Sequence, residues 1–168
     1  KIANQGDACF EIWQLNRENV DCQRIVREIE RLYAEFPDHQ GILYTNAVIQ
    51  YYQHRYEKAA FFLDVLNNQS QVPIQSLLLR AQIAMQQANH RMASTLLHRA
   101  KQIDPGDPRA FELSAALHYA KGELPLARES LYVAAKLGTP HDRLGFHFGL
   151  LYEAMSQWTR ACQSYQRI

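Results

Sequence analysis

The sequence lacks the features that mark membrane-spanning and nucleic-acid-binding proteins. It has no apolar run approaching the roughly 18 residues of a membrane span. Its 18 basic and 17 acidic residues leave a net charge of +1, without the basic excess that binding to phosphate backbones requires. We therefore expect neither direct membrane insertion nor binding to nucleic acid.

Cysteine is scarce and does not form a framework. The three cysteines, Cys9, Cys22 and Cys162, are odd in number and widely spaced, with no CxxC pair. This pattern favours a reducing compartment, so the expected location is the cytoplasm. A periplasmic or membrane-anchored parent protein is the alternative, because the chain starts at Lys1 without Met. Cys9 and Cys162 fall at core-facing or near-core positions, which predicts buried, unreactive thiols.

Catalytic and metal-binding patterns are also missing. The seven histidines form no HExxH motif and no histidine–cysteine ligand spacing, and no glycine-rich phosphate loop is present. We expect no cofactor, no metal and no enzyme activity within these residues. Apolar residues make up 47% of the chain and charged residues 21%, which is enough apolar content to form a packed core.

What the sequence does contain is a period of 34 residues. Alanines recur at positions 59, 93, 127 and 161, and the preceding member of the series is Ile25. A large apolar residue stands four residues after each of these five positions, and another apolar residue stands three residues after that one. This spacing is one helical stripe. The members of the two later series are Ile29, Leu63, Leu97, Leu131 and Tyr165, followed by Leu32, Leu66, Ala100, Ala134 and Ile168.

Each period contains a second stripe, and therefore two amphipathic helices. Large apolar residues recur at positions 15, 49, 83, 117 and 151, and small residues stand two positions before the last four, at Ala47, Ala81, Ala115 and Gly149. Short polar segments separate the helices of each pair, and prolines fall between periods, where one helix stops and the next begins. The repeats are predicted at 6–39, 40–73, 74–107, 108–141 and 142–168, after a lead-in of residues 1–5.

The period, the alanine of the second helix and the proline at the boundary together resemble the tetratricopeptide repeat family. The last unit carries the pattern most fully, with Phe148-Gly149, Tyr152, Ala161 and Tyr165. Asn46, Arg80 and Ser114 depart from it, since the family usually has an aliphatic residue there, and Trp13 stands at a small-residue position. The resemblance implies an all-α, right-handed α-solenoid of antiparallel helix pairs.

The resemblance also implies a concave groove that is lined by the first helix of each repeat and holds an extended or helical peptide. Its expected lining combines aromatic residues, arginine and glutamine, of which tyrosine and arginine are enriched at binding hot spots. The alternative for the rings is inter-repeat core, the position expected for Phe61, Phe62 and Phe111. The candidate residues are Phe10, Tyr44, Tyr51, Tyr52, Gln75, Gln82, Gln86, Arg109, Tyr119, Arg143 and Phe146.

One subclass of the family is not expected. Cochaperones that bind the C-terminal tail of heat-shock chaperones share a carboxylate clamp of Lys, Asn, Asn, Lys and Arg. Counted from the second repeat, only Arg109 is basic among the corresponding residues, which are Tyr44, Val48, Leu79, Arg109 and Leu113. Counted from the first repeat, none of the corresponding residues is basic; they are Phe10, Gln14, Thr45, Gln75 and Leu79.

The sequence thus predicts a protein-protein interaction module or scaffold that binds a peptide segment or helix of a partner. The alternative is a regulatory or substrate-presenting arm of a larger enzyme, such as a transferase, whose catalytic domain lies outside this chain. The last unit stops at Ile168 inside its second helix, without a capping helix, and this predicts a fragment. Self-association through uncapped terminal faces is a third hypothesis.

Overall fold

The computed structural model describes residues 20–166, and the side chains from residue 23 onward. Within these residues every regular element is an α-helix. The helices are α1 (Val20–Glu35), α2 (Gln40–Tyr52), α3 (Tyr56–Asn67), α4 (Ile74–Gln86), α5 (His90–Ile103), α6 (Pro108–Ala120), α7 (Leu124–Lys136), α8 (His141–Ala154) and α9 (Trp158–Tyr165). The predicted all-α fold is therefore confirmed.

The chain divides into two compact units between Ser76 and Leu77. In the first unit, Ile29 of α1 and Ile49 of α2 form a buried cluster against which Tyr52 packs. In the second unit, Ala115, Ala127, Leu131 and Leu151 form a buried cluster of α6, α7 and α8, and partly buried Leu124, Phe148 and Met155 pack on it.

The turn inside each helix pair has the same structure in every described repeat. A residue with positive φ follows the first helix at His54 (58°), Ala88 (54°), Gly122 (75°) and Ser156 (57°), each 34 residues after the last. The next N–H then bonds back to a carbonyl oxygen of the last helical turn, as in Arg55 N to Gln50 O at 2.9 Å and Glu123 N to His118 O at 2.9 Å. This is the Schellman motif, which ends a helix by satisfying its free carbonyl groups.

The small residues of the 34-residue pattern lie in the core. Ala47, Ala59, Ala81 and Ala93 have no exposed surface, and Ala115, Ala127 and Ala161 have at most 4%. Gly149 on α8 shows why the position must be small. A Cβ atom placed there would overlap the ring of Tyr165 on α9. The helices of this pair lie close because glycine leaves room for that ring.

Two of the polar residues at usually aliphatic positions are accommodated by hydrogen bonds within their own helix. Asn46 Nδ2 donates to Ile42 O at 3.1 Å, and Ser114 Oγ donates to Ala110 O at 2.8 Å. Buried polar groups cost little free energy when they are bonded in this way. Arg80 is buried as well. Trp13 lies outside the described residues.

Two expectations for side-chain position were wrong. Cys162 is exposed rather than near the core, because it follows Ala161, the residue of α9 that faces inward. Phe61 is 57% exposed rather than part of an inter-repeat core, whereas Phe62 and Phe111 are partly buried. Phe62 meets Tyr33 of the preceding predicted repeat edge-on, with ring centroids 5.2 Å apart. Cys9 lies outside the described residues.

The positive-φ turns predict opposite effects for two exchanges between alanine and glycine. Ala88 adopts a left-handed conformation that glycine adopts without steric cost, so Ala88→Gly should stabilise the fold by about 0.5–1 kcal/mol. Gly122→Ala should destabilise it by about 1 kcal/mol, because nothing lies within 4 Å of the new Cβ and only the conformational cost remains. Urea unfolding followed by circular dichroism measures both. Equal shifts of the same sign would contradict the assignment of these turns.

The buried alanines predict a large response to overpacking. Ala93 has no exposed surface, so Ala93→Leu should cost about 1–3 kcal/mol of unfolding free energy. Ser94→Leu is the matched control, since the neighbouring side chain is exposed and the same substitution there should change stability by less than about 0.5 kcal/mol. A thermal melt of both variants measures the difference. Similar losses for the two variants would show that Ala93 is not a close-contact position.

Candidate partner-binding surface

The predicted groove residues fall into two groups that belong to different units. Tyr44, Tyr51 and Tyr52 lie on α2 and Gln75 at the start of α4, all in the first unit. The second unit contains the remaining described members, which are Gln82, Gln86, Arg109, Tyr119, Arg143 and Phe146. Phe10 lies outside the described residues.

The tyrosines of the first unit form an aromatic cluster at the end of α2. The ring of Tyr51 lies 5.6 Å from that of Tyr52 and 5.7 Å from that of Tyr56, measured between centroids. Partial burial raises the pKa of Tyr51, and the neighbouring tyrosines add to this shift. Tyr52 also packs on the Ile29–Ile49 cluster. Tyr51 and Tyr52 are therefore half-buried, and Tyr52 contributes to the core.

Two other glutamine side chains of the first unit connect the start of α2 and the loop before it with the loop after α3. Gln40 Nε2, at the first residue of α2, donates to Gln71 O at 2.9 Å, and Gln69 Nε2 donates to Asp38 O at 2.9 Å. Among the predicted groove glutamines, Gln75 and Gln86 are exposed and Gln82 is half-buried.

Arg109 forms hydrogen bonds at the N-terminus of its own helix, α6. Its Nε and Nη2 donate to Asp107 Oδ1 and Oδ2 at 3.0 and 2.6 Å, and its backbone N–H donates to the same Oδ1 at 2.9 Å. Asp107 is thus the N-cap of α6. These bonds from Arg109 lower the pKa of Asp107 below its ordinary value. The arginine therefore stabilises the start of α6 in addition to any role at the surface.

Arg143 binds a buried carboxylate that the sequence did not single out. Its Nη2 donates to Glu112 Oε2, and Thr139 Oγ1 donates to Glu112 Oε1 at 2.8 Å. The Glu112 side chain is 6% exposed, whereas that of Arg143 is 51% exposed. Burial of a carboxylate is costly unless it is paired and hydrogen-bonded, and both conditions hold here. The ion pair links α6 to α8.

An open pocket of about 120 Å³ lies beside this ion pair in the second unit. We call it the α6–α8 pocket. Helices α6, α7 and α8 contribute its lining, which is apolar apart from Glu112, the ring nitrogens of His147 and the hydroxyl of Tyr119. The full lining is Glu112, Ala115, Ala116, Tyr119, Ala127, Leu131, His147, Leu150 and Leu151. Burial lowers the pKa of His147, with Glu112 opposing and Arg143 adding to the shift, which favours the neutral imidazole.

Tyr119 is the predicted groove residue that lines this pocket. It is 43% exposed, and Phe146 on α8 is 51% exposed. Sequence reasoning missed Glu112, Ala116, His147 and Leu150. The first two precede Tyr119 by seven and three residues on the same helical stripe, and Leu150 follows Phe146 by four residues. Extending each stripe along its helix would have found these three, and His147 follows the predicted Arg143 by four residues.

Metal-binding and membrane-spanning features have no candidates in the described part of the chain. Among residues 20–166, no group of three or more His, Cys, Asp or Glu side chains is placed to hold a metal ion. None of the described helices has the length and apolar character to cross a membrane.

Comparison with known proteins identifies the fold. No protein-family model and no curated protein matches the chain. TTC0263, a thermophilic TPR protein of Thermus thermophilus, superposes with a TM-score of 0.81 at 17% identity, over 99% of this chain and 89% of that chain. A tetratricopeptide repeat protein from Parabacteroides merdae gives 0.79 at 17% identity, over 99% and 62%. The type IV pilus biogenesis factor PilW gives 0.77 at 16% identity, over 96% and 74%.

The chain therefore has the tetratricopeptide-repeat fold, an all-α solenoid of helix pairs, as the sequence predicted. At these identities the likeness concerns the fold, and function has to be argued from the surface.

The capping role of Asp107 predicts a pH-dependent loss of stability. Asp107→Ala removes the N-cap and the pairing with Arg109, and should cost about 1 kcal/mol at pH 7. Because the folded-state pKa of Asp107 is lowered, its contribution is complete above the ordinary carboxyl pKa of about 3.9 and is lost as the pH falls through the lowered value. Chemical unfolding between pH 7 and pH 2 should show the stability difference decrease in acid, because the pairing with Arg109 is lost on protonation while a neutral carboxyl group can still accept the capping bond.

Asp107→Asn is the control for this experiment. Asparagine is an equally good N-cap, so it keeps the bond from Arg109 N while it removes the charge. It should be less destabilising than the alanine variant at pH 7. If both variants lose the same free energy, the charge pairing rather than the cap carries the effect.

Proposed function

We propose that this chain is a protein-interaction scaffold that holds a peptide segment or helix of a partner protein on the exposed faces of its first helices. The observation that carries the proposal is the surface of α6 and α8. There Tyr119 and Phe146, both more than 40% exposed, accompany an open pocket with an apolar floor. Exposed aromatic residues around a concave apolar site are the usual composition of a binding hot spot.

The fold supports the same proposal. A solenoid of helix pairs presents a long surface made of one helix face per repeat, which suits an extended partner. The first unit offers a second such face on α2, with Tyr44 and Tyr51 half-buried. We do not propose the tail of heat-shock chaperones as the partner, because the clamp residues are missing from the sequence.

For the location we propose a reducing compartment. The support is that an exposed thiol such as that of Cys162 forms mixed disulfides in an oxidising compartment and stays reduced in the cytoplasm. The alternative is a periplasmic or membrane-anchored parent protein, and subcellular fractionation of the native host distinguishes the two.

A pull-down from native lysate after brief chemical cross-linking tests the function. The baits are the parent chain, a Tyr119→Ala/Phe146→Ala variant, and a control Leu126→Ala/Trp158→Ala variant. The control removes comparably exposed apolar side chains from α7 and α9, the second helices of their pairs. A partner should be retained by the parent and the control, and lost about tenfold or more from the first variant. Equal retention by both variants would contradict binding at the α6 and α8 face.

The α2 face is tested separately. Tyr51→Ala/Tyr52→Ala removes the exposed parts of the tyrosine cluster, and Phe61→Ala on α3 is the matched control because Phe61 is 57% exposed. Since Tyr52 also packs on the core, circular dichroism must first show that the double variant is folded. Loss of the partner from the tyrosine variant alone supports a contribution of the first unit. Unchanged retention would assign binding to the second unit.

A further inference from the structure

The α6–α8 pocket has a chemistry that selects its occupant, and this inference rests on the proposed scaffold function. The floor of the pocket is the buried core cluster itself, since Ala115, Ala127, Leu131 and Leu151 belong to both. Three helices meet here, and the alanines that allow them to approach carry no side-chain atoms beyond Cβ. The pocket is therefore an opening into the core of the second unit.

The polar groups of the pocket are already satisfied or neutral. Glu112 accepts hydrogen bonds from Thr139 and Arg143, of which Arg143 compensates its charge, and burial favours the neutral form of His147. A cationic ligand group would have to compete with Arg143 for the same carboxylate. An anionic group would lose its hydration without gaining a cationic partner in the pocket, because Glu112 already pairs with Arg143. The site therefore complements an uncharged group that buries apolar surface against Ala116, Leu131 and Leu150.

The mouth of the pocket suits a polypeptide. The guanidinium group of Arg143 has five N–H donors, of which Glu112 engages Nη2, and the side chain is 51% exposed. Guanidinium N–H groups bond backbone carbonyl oxygens, so a half-exposed arginine beside the pocket favours a polypeptide that crosses α8. The exposed rings of Tyr119 and Phe146 lie on the same two helices.

We propose that the α6–α8 pocket is an anchor site for one uncharged apolar side chain, of the size of leucine, methionine or phenylalanine, from a partner polypeptide. Arg143 donates hydrogen bonds to the backbone of the same segment. Glu112 holds Arg143 in position and forms no ion pair with the partner.

A random linear-peptide display library, selected on the purified full chain at pH 7, tests this chemistry. The enriched peptides should share one leucine, methionine or phenylalanine and no fixed charge. A synthetic peptide of the enriched sequence should lose roughly ten- to hundredfold in affinity when that residue is replaced by alanine, as expected for the loss of one buried apolar side chain. Fluorescence anisotropy measures the affinity.

Matched variants of α6 locate the peptide. Ala116→Trp fills the pocket from its wall, whereas Ala120→Trp places the same side chain at an exposed position of α6 that does not line the pocket. Ala116→Trp should lower the affinity for the peptide by the same factor as replacing the peptide's apolar residue with alanine. Ala120→Trp should leave the affinity unchanged. Ala116→Leu provides a smaller filling residue if the tryptophan variant has a lower melting temperature than the parent.

Each contrary result overturns a different statement. If neither Ala116 variant affects the binding of the enriched peptides, the peptides do not bind in the α6–α8 pocket. The proposed scaffold function would be unaffected by this result. Pocket-dependent peptides that share a lysine, arginine or acidic residue would overturn the assigned chemistry. A selection that enriches no peptide would overturn the anchor site, and the cross-linked pull-down would then decide the scaffold function independently.

Discussion

The close approach of helices at small residues is the constraint on which the rest of this structure depends. At Gly149 a single added carbon atom would overlap the ring of Tyr165, and the alanines at the corresponding positions of the described repeats are almost completely buried. Each pair is joined by a short turn, which brings the second helix directly back against the first. The left-handed residue of this turn recurs every 34 residues, from His54 to Ser156. Three of these four residues are not glycine, so the turn is imposed by the packing of the pair rather than by a favourable local conformation.

The same constraint generates the candidate site. Alanine is required for helix contact, but it fills little volume where three helices meet. Between α6, α7 and α8 the result is an open pocket whose floor is the hydrophobic core. The ion pair between Glu112 and Arg143 stands beside this opening and links the first helices of two successive repeats. A buried pair of this kind contributes little net stability compared with apolar packing, but losing one partner would leave an uncompensated charge beside the pocket. It fixes the relative position of two helices that both carry exposed aromatic residues.

The sequence predicted the helices, the turns and the buried alanines because each depends on spacing along one chain. A stripe at i, i+4 and i+7 reports which face of a helix is apolar, and a repeated period reports that the faces stack. Neither pattern reports which side chain of the next helix will contact a given polar residue. Arg109 and Arg143 were predicted at the groove, yet the structure pairs the first with Asp107 and the second with Glu112, 31 residues away. Cys162 and Phe61 were misplaced for a related reason, since a position one residue from a core stripe can face either inward or outward.

The low identities to other structures have a physical explanation in these constraints. A TM-score of 0.81 at 17% identity means that the backbone path is kept while most side chains differ. Helix contact and turn formation restrict only a few positions per repeat, and each restricts size or backbone conformation rather than chemistry. Asn46 and Ser114 illustrate this tolerance, because both replace an aliphatic residue and satisfy their polar groups within their own helix. The remaining surface is free to vary with the partner. In this chain the neutralised carboxylate of Glu112, the apolar pocket and the exposed rings of Tyr119 and Phe146 are therefore features that the fold does not require, and they are where a partner's identity would be encoded.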